Sequence, residues 1–360
     1  MKRISILLLV FFTSFVLAAW PQARSRSYHK VITLRVPGAG TGANQGTYVN
    51  GITITGAVAG WYIDGNNVNH GFIRTLNGTI AKVDDSNASK GAGQGTQIQA
   101  MNCVGATTGF YWDSSGNTHS FLRTAEGHMK AIDVPGAVWT QAVNINDFGT
   151  TQGLYGDSDG NQHYFLRDAW GNYTYFDPPS NDVGVGMLGW GSFYGLNNAG
   201  AAVGWFLDAN WVVRGWLRTP DGEVTRLDAP GSWQGIAPLA INLKGEITGE
   251  LLDPNGNPHG FVRDPHGSMT DFLCPAPYDR EGVGFAMNFF GEIVGFCGKQ
   301  GGGEFAFTRS ADGAFKVFGL PGAGTGENQG AFNYGVNLQG WLTGQVTDEN
   351  YVTWSYVMIP

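Results

Sequence analysis

Charge is scarce in this chain. Only 14% of its 360 residues are Asp, Glu, Lys or Arg, and the net charge is −8. Lys and Arg total 21 and form no basic stripe, so nothing is there to neutralise phosphates and a nucleic-acid partner is excluded. Cysteine is scarcer still. Its three residues include no Cys-x-x-Cys pair and no compact Cys/His cluster, which argues against a bound metal. No segment holds an apolar period of 3.6 residues, so amphipathic helices are not expected. Beyond the first residues no apolar run reaches the ~20 needed to cross a bilayer. No Gly-X-Y period exists either, which excludes collagen.

What is present is glycine and aromatic surface. Gly accounts for 56 residues and aromatics for 13%. That is the composition of a turn-rich, aromatic-packed all-β protein. Residues 1–18 have the pattern of a signal peptide. Lys2 and Arg3 precede the apolar stretch from Ile4 to Val16, and Val16 and Ala18 suit cleavage before Ala19. A secreted protein, extracellular or periplasmic, is expected, with no membrane span after cleavage. Residues 19–29 read as a linker and 30–360 as a single domain, expected to be a monomer.

The domain is organised by a repeat, seen in full at Asn102–Arg123. An anchor Asn is followed three residues on by Gly, four further by Gly and four further by Asp. Six residues after that Asp comes H-x-F-x-R. Seven copies begin at Thr53, Asn102, Asn146, Asn197, Asn242, Asn288 and Asn337. Each reads as four short strands, A to D. Strand A runs into the anchor, B follows the Asn-x-x-Gly turn, C is the H-x-F-x-R segment, and D ends in Asp84, Asp133, Asp177, Asp228 or Asp271. Repeated four-stranded antiparallel units of this length read as a seven-bladed β-propeller. The last copy stops after strand C. The segment Lys30–Val36 has strand D character and is expected to complete that blade, closing the ring and removing an open edge.

The strand C segments HGF (70–72), HSF (119–121), HYF (163–165) and HGF (259–261), each followed by x-Arg, resemble the HAF family of extracellular repeat proteins. The likeness covers essentially the whole mature chain. It departs at Arg214-Gly-Trp216, Phe305-Ala-Phe307 and Trp354-Ser-Tyr356. It implies an extracellular location and a repeat fold, and no activity.

Residues present in nearly every copy are assigned to the scaffold. The Phe of strand C is expected to pack between blades, the Arg to bond carbonyls nearby, and the Gly pairs to let neighbouring sheets approach closely. The four repeated His lie in separate blades, so a structural role is expected. DSDGN at 157–161 lacks the later Glu of a calcium loop and reads as a hairpin turn. GAGTG has no helix behind it and is a weak phosphate loop, so no cofactor is expected.

Variation is confined to one face. Anchor-to-Asp and Asp-to-strand C spacings hold throughout, whereas the D-to-next-A segments run 18, 13, 20, 14, 17 and 18 residues. Those loops and the B–C turns emerge together, and variable loops on a rigid scaffold carry function. They hold Trp139, Trp190, Trp233 and Tyr278. Gln45, Gln94, Gln234 and Gln329 each precede an anchor by eight residues and are expected to rim the tunnel. Aromatics beside amides suit the apolar faces and hydroxyls of a sugar, so a carbohydrate or cell-envelope polymer is the expected ligand. Alternatively these rings only pack their loops. An enzyme would need paired carboxylates, for which Asp279, Glu281 and Asp182 are candidates, but no catalytic constellation stands out. A polysaccharide-active hydrolase or lyase and a protein-interaction or surface-structural module are the alternatives. Cys274 and Cys297 fall on one face of neighbouring repeats and form either a disulfide or two buried thiols. Cys103 stands alone.

Overall fold

The computed structural model describes residues 27–178, 195–231 and 233–360. The signal-peptide pattern, most of the linker, Trp190 and Asp182 lie outside them. Among the described residues the chain is all β, and no helix is long and apolar enough to cross a membrane. The repeat starting at Asn102 shows the plan. Thr96–Met101, Thr107–Trp112, Thr118–Arg123 and Met129–Ala131 pair in that order as one antiparallel sheet. Four such sheets stand separately. A further twelve strands form three sets, linked by the single parallel pairs Gly46↔Thr353 and Glu304↔Gly330.

The set built on Gly330–Val336, Leu342–Thr347 and Thr353–Ile359 takes its fourth strand from the far end of the chain. Lys30–Leu34 pairs antiparallel with Thr353–Ile359, with Lys30 opposite Ile359 and Leu34 opposite Ser355. Leu34 is buried with Val36, Val49, Phe72 and Val357 in one apolar cluster.

The anchor Asn does two jobs. Its side-chain oxygen accepts backbone N–H bonds from the turn it starts. Asn197 takes those of Ala199 (3.0 Å) and Ala201 (2.9 Å). The third residue after each anchor must then turn left-handed, which is why it is Gly, with φ +87° at Gly200. The amide nitrogen meanwhile reaches the next repeat. Asn102 donates to the carbonyl of Asn146, Asn146 to Asn197, Asn197 to Asn242, Asn242 to Asn288, Asn288 to Asn337, and Asn337 to Thr53. These are six buried links of 2.9–3.4 Å, each contributing on the order of 1 kcal/mol. Thr53 has no amide to pass the relay on, and its hydroxyl accepts Ala57 N–H within its own turn instead.

The second Gly of each pair has a different cause from the one expected. Strand A carries a β-bulge, as between Val49 and Gly51 or Pro238 and Ala240. The carbonyl at the bulge presses on the adjacent strand of the same sheet. A Cβ at Gly60 would lie 1.9 Å from the Tyr48 carbonyl oxygen, and one at Gly249 would lie 2.0 Å from that of Ala237. The close approach is therefore within a sheet rather than between sheets. The strand C Phe does fill the interior: Phe72, Phe121, Phe165, Phe261 and Phe307 are wholly buried, with Trp216 and Tyr356 at the same position. The strand C Arg bonds locally, as Arg123 does to the Thr124 carbonyl (3.3 Å).

Deleting residues 30–34 should lower the melting temperature by roughly 5 °C or more, since it bares the edge of Thr353–Ile359 and uncovers the cluster around Val357. Thermal melts of the mature and shortened chains check this. An unchanged midpoint would mean that the terminal strand contributes nothing.

Candidate functional site

The D–A loops lie on the B–C turns, so both emerge on one face. Asn44 N–H bonds the Tyr351 carbonyl (2.7 Å), Gly93 N–H that of Asn67 (2.7 Å), and the Gln234 amide that of Pro254. The four glutamines serve this packing. Gln45 Oε1 accepts Gly42 N–H (2.9 Å) while its nitrogen donates to Asn67 (2.8 Å). Gln329 repeats the arrangement with Gly326 N–H and the Glu349 carbonyl. Gln94 accepts from Ser89. Their side chains shape Gly-rich loops, and Gln45 and Gln329 are buried.

The loop aromatics are not gathered into one platform. Trp139 opens its strand and packs on the cluster around Val143, Leu154 and Trp216. Trp233 sits edge-on to His259 at 4.8 Å. Tyr278 leans on Phe305 at 4.7 Å, beside the bonded sulfurs of Cys274 and Cys297. That disulfide encloses a 23-residue separation and stabilises by roughly 3 kcal/mol. Burial and Asp147 push the free Cys103 thiol up to about 11, which rules it out as a ready nucleophile.

The large concavity is elsewhere. The first strand of every repeat contributes to the wall of one cavity of about 800 Å³, through Tyr48, Gln99, Asn144, Leu196, Leu239, Phe285 and Tyr334 among others. At its loop-face end stand Val213, Leu252, Pro258, Glu281 and Asn328. Its wall is largely apolar, with amides from Asn50, Gln99, Asn144 and Gln345.

Behind the first strands, the residue after the second Gly of each pair points the same way. Around the repeats this position is Trp61, Phe110, Leu154, Trp205, Glu250, Phe296 and Gln345. Trp61, Trp205, Glu250, Phe296 and Gln345 reach the cavity. Glu250 does so because its cross-strand neighbours are Ala237 and Gly260, which leave space beside it. It has no hydrogen-bond or ion-pair partner among the described residues. Burial and then the charge of Glu281 raise its carboxyl to about 7. Glu281 is held by Arg280, which also grips the buried Glu304. Burial and Glu281 raise Glu304 to about 7 against the pull of Arg280. Glu281 was legible as a candidate. Glu250 was not, although a single acid in an otherwise apolar repeat position marks it. Asp279 is exposed and does not line the cavity.

The strand C histidines are clamped in their own repeats and do not converge. His119 Nδ1 lies 2.8 Å from Asp133 and Nε2 3.4 Å from Asp113, and His163 is held likewise by Asp177 and Asp157. His70 and His259 have the same neighbours in their repeats. Arg214 replaces His between Asp208 (2.8 Å) and Asp228 (3.4 Å), so the slot suits a cation.

No protein-family model and no curated protein matches this chain. Solved structures do. Selenomethionine-substituted virginiamycin B lyase from Staphylococcus aureus is 16% identical with a TM-score of 0.53, over 92% of this chain and 99% of its own. The β-propeller domain of the Trilobed protease from Pyrococcus furiosus is 10% identical with a TM-score of 0.59, over 86% and 95%. The BP39L lectin from Burkholderia pseudomallei is 11% identical with a TM-score of 0.55, over 86% and 94%. At these identities the likeness establishes the fold: the chain is a β-propeller.

The histidine clamps give stability a pH dependence. Burial pulls the His119 and His163 pKa values down, but the bonds and charges of their aspartates outweigh it and raise both above the ordinary 6.5. A raised folded pKa stabilises below the unfolded value and loses that contribution as pH climbs through the folded one. Asp157, lowered to about 2 chiefly by the Asn161 amide, acts oppositely and loses its contribution only in strong acid. The melting temperature should therefore fall between pH 6 and pH 8.5. In His119→Arg with His163→Arg that fall should shrink, because Arg stays charged. An equal fall in the double variant would show that the clamps are not its source.

Proposed function

We propose that this chain is a secreted binding protein, a closed seven-bladed propeller that seats a carbohydrate or cell-envelope polymer in the loop-face mouth of its central cavity. The observation that carries the reading is Glu250, a carboxyl with no ion-pair partner among the described residues, set among aromatic and amide side chains in a cavity of about 800 Å³. Apolar walls with a few converging polar groups are the common make-up of a ligand site, and rings beside amides suit sugars. Closure is supported by the bond from Asn337 to Thr53 and by the pairing of Lys30–Leu34 with Thr353–Ile359. The face is the one selected by variable loop lengths. The binding residues proposed lie further in than Trp139, Trp233 and Tyr278, whose rings are engaged in packing on the cluster around Leu154 and Trp216, on His259 and on Phe305. Kinship with the HAF repeat proteins belongs to the same proposal, supported by the His–Asp clamps that give H-x-F-x-R a structural purpose.

A second reading is a polysaccharide hydrolase. Glu250 and Glu281 line one cavity in different surroundings, and glycoside hydrolysis uses two carboxyls with separated pKa values. A glycan array on the mature protein, followed by titration of the best hit, tests both. Glu250→Ala should weaken binding about tenfold or more, while Trp139→Ala with Trp233→Ala should change it little. The opposite pattern would move the site out to the loops. Reducing-sugar release that is lost in Glu250→Ala would favour the hydrolase. No retained glycan would leave a protein-interaction module.

A further inference from the structure

We propose that the ligand seated in this cavity carries a protonated amine, which makes an amino-sugar polymer with free amines the fitting class. The inference rests on the carbohydrate reading above and narrows it.

The cavity wall is unbalanced in charge. Among the described residues it contains two carboxyls, Glu250 and Glu281, and no Lys, Arg or His. Glu281 is compensated by Arg280. Glu250 has no ion-pair partner among the described residues, and its cross-strand neighbours Ala237 and Gly260 offer no hydrogen-bonding side chain. Glu250 is half-buried, and a carboxyl partly withdrawn from water without a partner carries a cost that a proton or a cation brought in from outside relieves. Its raised pKa is the sign of that unmet demand.

The surroundings favour an organic cation over a proton. At the Glu250 position the adjacent repeats carry Trp205 and Phe296, both lining the same cavity, and Phe285 and Tyr334 stand in its wall. Aromatic faces attract ammonium groups, the more so where water is reduced. A neutral hydroxylated sugar would satisfy the rings and amides but leave Glu250 uncompensated. An acidic sugar would meet two carboxyls and be repelled. An amine on a sugar ring meets the carboxyl with charge and the aromatics with its apolar face. Gln345 stands at the Glu250 position in the last repeat, so Glu250→Gln places a side chain that this backbone already accommodates.

Calorimetric titration at pH 7.5 with a tetramer of β-1,4-linked glucosamine and with its fully N-acetylated counterpart tests the proposal. The free-amine tetramer should bind at least about tenfold more tightly. Glu250→Gln should remove that preference, weakening the free-amine tetramer more than its N-acetylated counterpart, while leaving the melting temperature nearly unchanged. Repeating the titration in buffers of different ionisation enthalpy should show a net proton exchange on binding the amine that is absent in Glu250→Gln, because pairing lowers the Glu250 pKa and raises that of the sugar amine. Equal affinity for the two tetramers, or a preference that survives Glu250→Gln, would overturn the amine and leave the carbohydrate site standing. Binding of neither tetramer, with array hits confined to neutral or acidic glycans, would overturn it likewise. Loss of all glycan binding would sink the carbohydrate reading itself.

Discussion

The structure depends on a relay of asparagine side chains. Each anchor Asn folds its own turn through its oxygen and holds the next repeat through its nitrogen. One amide thus couples local structure to the contact between sheets. The relay runs from Asn102 through Asn337 and reaches Thr53, 284 residues back along the chain. All six donors are buried, where an unmade hydrogen bond costs more than a made one contributes. The first strands are consequently pinned side by side, and their bulged carbonyls require the second Gly. The cavity is lined by those pinned strands.

Much of this was legible because it recurs. Asn-x-x-Gly named its turn, H-x-F-x-R named a strand with a buried ring, and Lys30–Val36 was recognisable as the missing fourth strand, which the structure pairs over Lys30–Leu34. The structural meaning of His was legible in outline, since four separated copies cannot share one metal. Its pairing with two aspartates follows from the spacing of Asp113, His119 and Asp133, which puts turn, strand and strand end at one height. What the residue pattern did not disclose was where a bulge turns a carbonyl. The Gly pairs therefore suggested contact between sheets when the crowding is within one. Gln45 and Gln329 looked like rim residues because their position recurs, but each folds back three residues to a glycine N–H of its own loop.

The site was the least legible part, and the reason is geometric. Loop length and loop aromatics are visible in a sequence, so Trp139, Trp233 and Tyr278 drew attention. Whether a ring faces solvent or its own sheet depends on packing, and these rings lean on the cluster of Leu154 and Trp216, on His259 and on Phe305. Glu250 hides inside a strand, flanked by apolar residues. Only alignment of the repeats shows that it replaces Trp61, Trp205 and Phe296. The rule that function breaks symmetry, applied to the inner wall as well as to the loops, is what points to Glu250. Solved propellers of low identity share the fold and cannot choose among ligands.

If the site is where the repeat is broken, the chain has one of it; if recurring positions bind, it has several. The number of ligands bound per chain separates these directly. Calorimetric titration of the purified mature protein with its best glycan should give one site per chain. A stoichiometry near the number of His–Asp clamps, or any value well above one, would place the ligand on the repeated scaffold and contradict a site at Glu250.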